Sequence, residues 1–424
     1  MLDFFAGSQL AFSVVLMLVL IGAIMGGVAY STFFERKISA WIQDRKGPNR
    51  VGFFGLFGNF HFWGLGQPMA DGVKFLLKED IVPARVDKPL YLLAPALVFI
   101  VAMIGFAVIP WGGDVDLTGD GVADVTCQVA DPGIGLLYVL GVGAMGVYGI
   151  VLGSWASNNK YSFFGGIRAA AQMLSYEIPL GLCILVVVLM TGELRLENIV
   201  LAQVGQGNTW NALVHPGVFV LLVIAQFAET NRLPFDLPEC EQELVGGFHT
   251  EYGSMKFALF FLAEYTHMIT NSAFLVVLFL GGWDPLPFVS IPGFRPEDTS
   301  IWAMLLKMGV MGGKIAALIF FYMWVRWTIP RFRFDQLMQL AWKKMVPLGM
   351  GFAGVAALMV YWQVPAMSWP AKVLWGWVGN GLVIGLAVVA VALTRGKVTG
   401  RQPNLPAIPL TAPARPKPRP VQGI

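Results

Sequence analysis

Residues 10–33 read LAFSVVLMLVLIGAIMGGVAYSTF, an apolar run with no charged side chain in it. A bilayer core about 30 Å thick is crossed by roughly 20 apolar residues of helix, so this run is long enough to span a membrane. Further apolar segments follow at about 90–110, 134–156, 172–192, 213–229, 255–281, 302–327, 343–363 and 371–393. Composition agrees: of 424 residues, 56% are hydrophobic and 13% charged, with a mean hydropathy of +0.65. A soluble domain does not sustain that balance. The sequence therefore predicts an all-α, polytopic membrane protein, a helical bundle of about nine spans whose partner is membrane lipid, and its 49 glycines suit close helix packing. Because a long polar segment and more spans follow the first run, that run reads as an anchor rather than a cleaved signal.

Orientation follows from Lys and Arg in the loops. The first loop carries Arg36, Lys37, Arg45, Lys46, Arg50, Lys74, Lys78, Arg85 and Lys88, while the loop 111–133 has no basic residue. This places residues 1–9 and the loop 111–133 outside, and the first loop, the loop 229–254 and the tail in the cytoplasm. The core is expected over 10–363, with an extra ninth span at 364–394. Within the first loop, residues 67–78 read as an amphipathic helix lying at the membrane surface. The proline-rich stretch 395–424 lacks the apolar residues to bury a core and reads as a disordered tail.

Several function classes drop out. The formal net charge is +3 with no long basic block, which argues against nucleic-acid binding. Cys127, Cys183 and Cys240 are far apart and cannot form the four-thiolate cage of an iron–sulfur cluster. His61, His215, His249 and His267 offer no paired haem arrangement, so no metal centre is expected. The stretch Asp116-Leu-Thr-Gly-Asp120-Gly-Val-Ala-Asp124 begins like a calcium loop, but Cys127 stands where the closing Glu belongs, and it reads as a solvated external loop.

Charged residues stand out against so apolar a background. Glu35-Arg36-Lys37 follows the first span and precedes the turn Arg45-Lys46-Gly47-Pro48-Asn49. A second group runs from Glu229-Thr-Asn-Arg232 through Asp236, Glu239, Glu241 and Glu243 to Glu251-Tyr252. Carboxylates crowded beside a membrane repel one another and titrate as a coupled set, which is what a proton-handling switch needs. Pro234 and Pro238 exclude a regular helix there. The third group lies inside spans: Glu177, Glu264, Lys307 and Lys314. A charge at membrane depth is costly and faces protein or water, so these residues with Glu229 suggest a polar file through the bundle.

Five ordered stretches carry a resemblance: Glu35-Arg36-Lys37 with the turn at 45–49, Arg168 through Gln172 to Tyr176-Glu177, Glu229 to Tyr252, Ala263-Glu264-Tyr265, and Pro330-Arg331-Phe-Arg333-Phe-Asp335-Gln336. They resemble the signatures of the H-subunit family of NADH:quinone oxidoreductase, respiratory complex I, over about residues 10–360. Cys240 departs from the Ala expected there, and the ninth span and tail lie beyond the resemblance. The resemblance implies a bacterial inner-membrane subunit of a proton-translocating enzyme, with no complete active site of its own. It would form the membrane end of a quinone chamber against peripheral-arm subunits and small membrane subunits. Ubiquinone or menaquinone would be the substrate, and FMN and iron–sulfur clusters would sit on other subunits. Carried over by position, Glu35, Arg36, Asp71, Lys74 and Arg331 or Arg333 belong to the quinone path. Glu177, Glu229, Glu239, Glu241, Glu243 and Glu264 belong to an acidic coupling channel. A homologous subunit of an energy-converting hydrogenase and a stand-alone ion transporter are the competing readings; no internal repeat supports the latter.

Overall fold

The computed structural model describes residues 8–52, 62–118, 123–205, 209–239, 245–289 and 291–395. Glu241, Glu243, Cys240 and residues 396–424 of the expected tail lie outside the described residues. Among the described residues, eight helices are long and apolar enough to cross a membrane. They are α1 (Gln9–Ile42), α3 (Lys88–Ile104) with the 3-10 turn that carries its span to Val108, α4 (Gly135–Ala156), α5 (Lys160–Thr191) and α9 (Ser254–Phe279). After α10 (Ile301–Thr328) comes the span Phe334–Tyr361, made of α11 (Phe334–Leu340), a π turn and α12 (Val346–Tyr361). The last is α13 (Trp369–Arg395). The segment expected as the fifth span is shorter: α7 (Asn211–Val214) breaks at His215 and α8 (Pro216–Glu229) has 14 residues. Pro216 sits at the first position of α8, where its missing N–H costs no helical bond but cannot extend α7. Outside the spans lie α2 (Gln67–Leu77), at the place of the expected amphipathic helix, and α6 (Leu196–Gly205).

Capping residues set several helix starts: Ser8, Asn159 and Ser300 accept from the N–H groups of Ala11, Tyr161 and Ala303. α5 ends where Gly192 turns left-handed at φ 74°. α1 runs past residue 33 to Ile42, so Glu35-Arg36-Lys37 lie on its last turns rather than after the span. No breaker stands between residues 33 and 42, and the chain turns only at Asp44 (φ 56°) and Gly47 (φ 67°). Lys37 bends back to bond Lys46 O at 3.4 Å, fixing that turn.

α9 is the central helix, with every residue from Met268 to Phe279 buried. A helix buried on all sides belongs in the middle of a bundle. It contacts α1, α3, α8 and α10, while α5 contacts α4, α8 and α12. By contrast α1 leaves Leu18 and Val19 exposed, as a lipid-facing helix does. At the end of the bundle remote from the 229–254 loop, Asp114–Val115 pairs antiparallel with Val125–Thr126. The compact unit just described runs to Val383. The second begins at Ile384, and its described part is the final turns of α13.

Candidate functional site

The acidic loop leaves α8 at Glu229 and is shaped by turns, as its prolines require. Asn231 takes a left-handed conformation at φ 52°. Gln172 Nε2, buried on α5, donates to Ala228 O at 2.8 Å, Asn231 Oδ1 at 3.1 Å and Phe235 O at 2.8 Å. One amide thus fixes both ends of the turn. Phe235 stacks on Phe332 with ring centroids 5.4 Å apart, tying the loop to the start of the 330s segment. Farther on, Tyr91 and Tyr252 stack at 4.2 Å and Tyr91 donates to Glu251 O at 2.7 Å.

This scaffold delivers Arg232 into the interior, where it is 4% exposed. Its Nη1 donates to Glu35 Oε2 at 3.0 Å, its Nε lies 2.7 Å from Glu264 Oε1, and its guanidinium stands 4.1 Å over the Tyr265 ring. Glu35 also accepts from Tyr265 Oη and from Arg326. Just outside, Arg331 Nη2 donates to Asp236 Oδ2 at 3.0 Å. Burial raises the Asp236 carboxyl to about 6 even though Arg331 opposes the shift. Glu239 is pushed up too, by burial first and then by the charges of Glu264 and Asp236. Its neighbour His249, 3.7 Å away, is lowered by burial to about 4 and is neutral near pH 7. That close approach therefore holds less charge than the residue types suggest.

Two kinds of space adjoin these groups. An open cleft of about 590 Å³ is lined by Glu35, Arg36, Arg326 and the aromatic residues Phe261, Tyr265 and Trp327. Inside the bundle, a cavity of about 50 Å³ is lined by Glu229, Glu239, Glu264 and His267. A second, of about 30 Å³, is lined by Glu177, Glu229, His267 and Asn271. Glu229 and His267 border both; His267 Nε2 lies 3.6 Å from Glu229 Oε1, and Asn271 donates to Glu229 Oε2 at 3.3 Å. The order from the surface inward is cleft, Glu35, Arg232, Glu264, first cavity, Glu229, second cavity, Glu177. Charges this close in a low-dielectric interior respond to one another, so a change at Glu35 is felt at Glu264 through Arg232.

The remaining expected residues fall outside that order. Arg36 donates to Asp71 at 2.7 Å and Lys74 lies 3.6 Å from Asp71, an exposed cluster joining α1 to α2 at the mouth of the cleft. Arg333 is exposed, and its backbone N–H bonds Gln336 Oε1 at 3.2 Å to start α11. Lys307 and Lys314 are not in the polar file. Lys314 bonds the carbonyls of Leu280, Gly282 and Asp284 beyond the C-terminus of α9, and Lys307 bonds Asp298 O at 2.8 Å. Their seven-residue spacing fixes a shared helix face, but not the height at which that face meets the bundle. Sequence reasoning gave no site role to Arg326, Tyr265, His267 or Asn271. Arg326 was visible as a lone cation at the end of an apolar segment. Tyr265, His267 and Asn271 share the helix of Glu264, at spacings of one, three and seven residues.

Fold and site define a polytopic helical membrane protein in which buried ion pairs join an open cleft to internal acidic cavities. The family model described as NADH dehydrogenase matches residues 15–357. The H-subunit of NADH-quinone oxidoreductase from Leptospira biflexa serovar Patoc is 49% identical over 348 residues, covering 80% of this chain and 92% of the relative. The first of the numbered H-subunits of NADH-quinone oxidoreductase from Cytophaga hutchinsonii is 47% identical over 319 residues, 75% of this chain and 88% of the relative. The H-subunit from Rhodospirillum rubrum is 46% identical over 330 residues, 78% and 88%. The chain belongs to the H-subunit family of NADH-quinone oxidoreductase. It is a membrane-embedded subunit of an enzyme complex, complex I.

Proposed function

We propose that the chain forms the membrane end of the quinone chamber and carries the acidic path that couples quinone reduction to proton translocation. The single observation behind this reading is the placement of Arg232, which touches Glu35 on the cleft side and Glu264 on the cavity side. The cleft suits a quinone headgroup. Its volume of about 590 Å³ falls in the usual range for small-molecule sites, and its walls combine aromatic rings with the guanidinium groups of Arg36 and Arg326. A quinone receiving electrons gains negative charge on its oxygens before protonation. Arg326 is then drawn from Glu35 toward the headgroup, Arg232 shifts its weight toward Glu35, and Glu264 is left without its cation. That loss favours proton uptake at Glu264 from the carboxylates around the first cavity. Glu229 and Glu177 extend the path, and Glu241 and Glu243 continue the acidic loop in sequence.

Partners under this reading are peripheral-arm subunits over the loops 34–89 and 229–254, with small membrane subunits alongside. The membrane is the bacterial inner membrane, with the N-terminus external and the acidic loop cytoplasmic. Labelling the assembled complex with a photoreactive quinone tests the chamber. Crosslinks are expected on the cleft-lining residues near Arg36 and Trp327, and should be suppressed by excess unlabelled quinone. Labelling confined to other subunits would refute the assignment.

A further inference from the structure

The last helix begins beyond residue 357, where the match to the family model ends. Its contacts point to a task. With 14 residues at about 1.5 Å each, α8 is roughly 21 Å long, short of the bilayer core. A span so short leaves a helix end at membrane depth, and backbone groups there need partners because lipid offers none.

Those partners come from α13. Gly217 N–H, in the first turn of α8, donates to Asn380 Oδ1 at 3.1 Å. The Asn380 amide donates in turn to Gly376 O at 2.7 Å, which fixes its orientation. Trp377 Nε1 donates to Leu213 O at 2.9 Å, a carbonyl of α7. Residues 377 and 380 share one face of α13, so two side chains take up both sides of the break at His215. Glycines permit the approach. A Cβ on Gly376 would lie 2.0 Å from Val214 O, and one on Gly217 would lie 2.6 Å from Asn380 Oδ1. Asn380 is buried, as a polar side chain in a membrane helix should be when it serves a neighbour rather than lipid.

We propose that α13 is an intramolecular brace: Asn380 and Trp377 close the broken span α7–α8 and hold in place the helix that ends in Glu229. Hydrogen–deuterium exchange on the assembled complex tests this without reference to quinone chemistry. In Asn380→Leu and in Trp377→Phe, peptides covering residues 211–220 should exchange about three- to tenfold faster than wild type, the opening expected from losing one or two hydrogen bonds. Peptides of α9 should exchange as in wild type. Trp377→Phe keeps an aromatic side chain but loses the indole N–H and part of the ring system, and it carries the test alone if Asn380→Leu does not assemble. Wild-type exchange over 211–220 in the assembled variants would overturn the proposal.

Discussion

Arg232 Nε stands 2.7 Å from Glu264 Oε1, joining the loop after α8 to the middle of the central helix. The same guanidinium donates to Glu35 at 3.0 Å, so one buried cation balances carboxylates from two membrane helices.

Removing that cation leaves Glu264 buried without its ion-pair partner and Glu35 with Arg326 alone, and breaking a buried pair in this way typically costs about 3–5 kcal/mol. Arg232→Ala is therefore expected to reduce the amount of assembled complex severely, as read by native gel electrophoresis of membranes. Lysine restores the charge but brings one nitrogen where arginine forks to two carboxylates. Arg232→Lys should assemble and run quinone reduction about tenfold slower, a loss of roughly 1.4 kcal/mol in the barrier. An Arg232→Lys complex at wild-type rate would show that the double contact is dispensable.

Arg36 separates function from stability in the opposite way. Its ion pair with Asp71 is exposed, with the Arg36 side chain 47% accessible, and such pairs contribute about 0–1 kcal/mol. Arg36→Ala should assemble normally, lose most quinone reductase activity, and keep NADH oxidation with an artificial acceptor, since the resemblance places the flavin on another subunit. Equal loss of both activities would mark Arg36 as an assembly residue instead.

Asp236 supplies a pH dependence. With its carboxyl raised to about 6, it is mostly ionised at pH 7 and mostly protonated at pH 5. Falling pH therefore discharges Asp236 and weakens its pair with Arg331, while Glu264, Glu239, Arg326 and Arg232 form the rest of its electrostatic surroundings. The wild-type rate profile should contain a step near pH 6 that Asp236→Asn lacks. The variant should behave at pH 7 as wild type does at pH 5, because both present an uncharged side chain to Arg331. Superimposable profiles would remove Asp236 from the network.

The membrane class was legible wherever apolar runs exceeded the length of a span, as at residues 10–33. The broken span was not, because residues 213–229 are mostly apolar and only His215-Pro216-Gly217 marks the interruption. Charges at depth singled out Glu177, Glu229 and Glu264, which border the two internal cavities. Lys307 and Lys314 lie inside an apolar segment without joining the file, since a buried charge is equally satisfied by bonding loop carbonyls beyond a helix end. Arg326 and His267 received no place in the polar file because their significance comes from partners remote in sequence: Arg326 meets Glu35 and His267 meets Glu229. Pair identity of that kind is a tertiary fact that no local pattern encodes.

Glu229 lies at the junction of the two internal cavities, so Glu229→Gln tests the account most directly. Glutamine keeps the shape and an oxygen for the Asn271 amide, but it carries no titratable proton. The measurement is quinone reductase rate together with proton pumping, in sealed membranes holding wild-type amounts of assembled complex. The account predicts at least about a tenfold fall in pumping with the rate falling alongside it, the scale of one lost proton-transfer group. Wild-type rate and pumping in Glu229→Gln would contradict it, leaving the buried carboxylates as structural ion pairs.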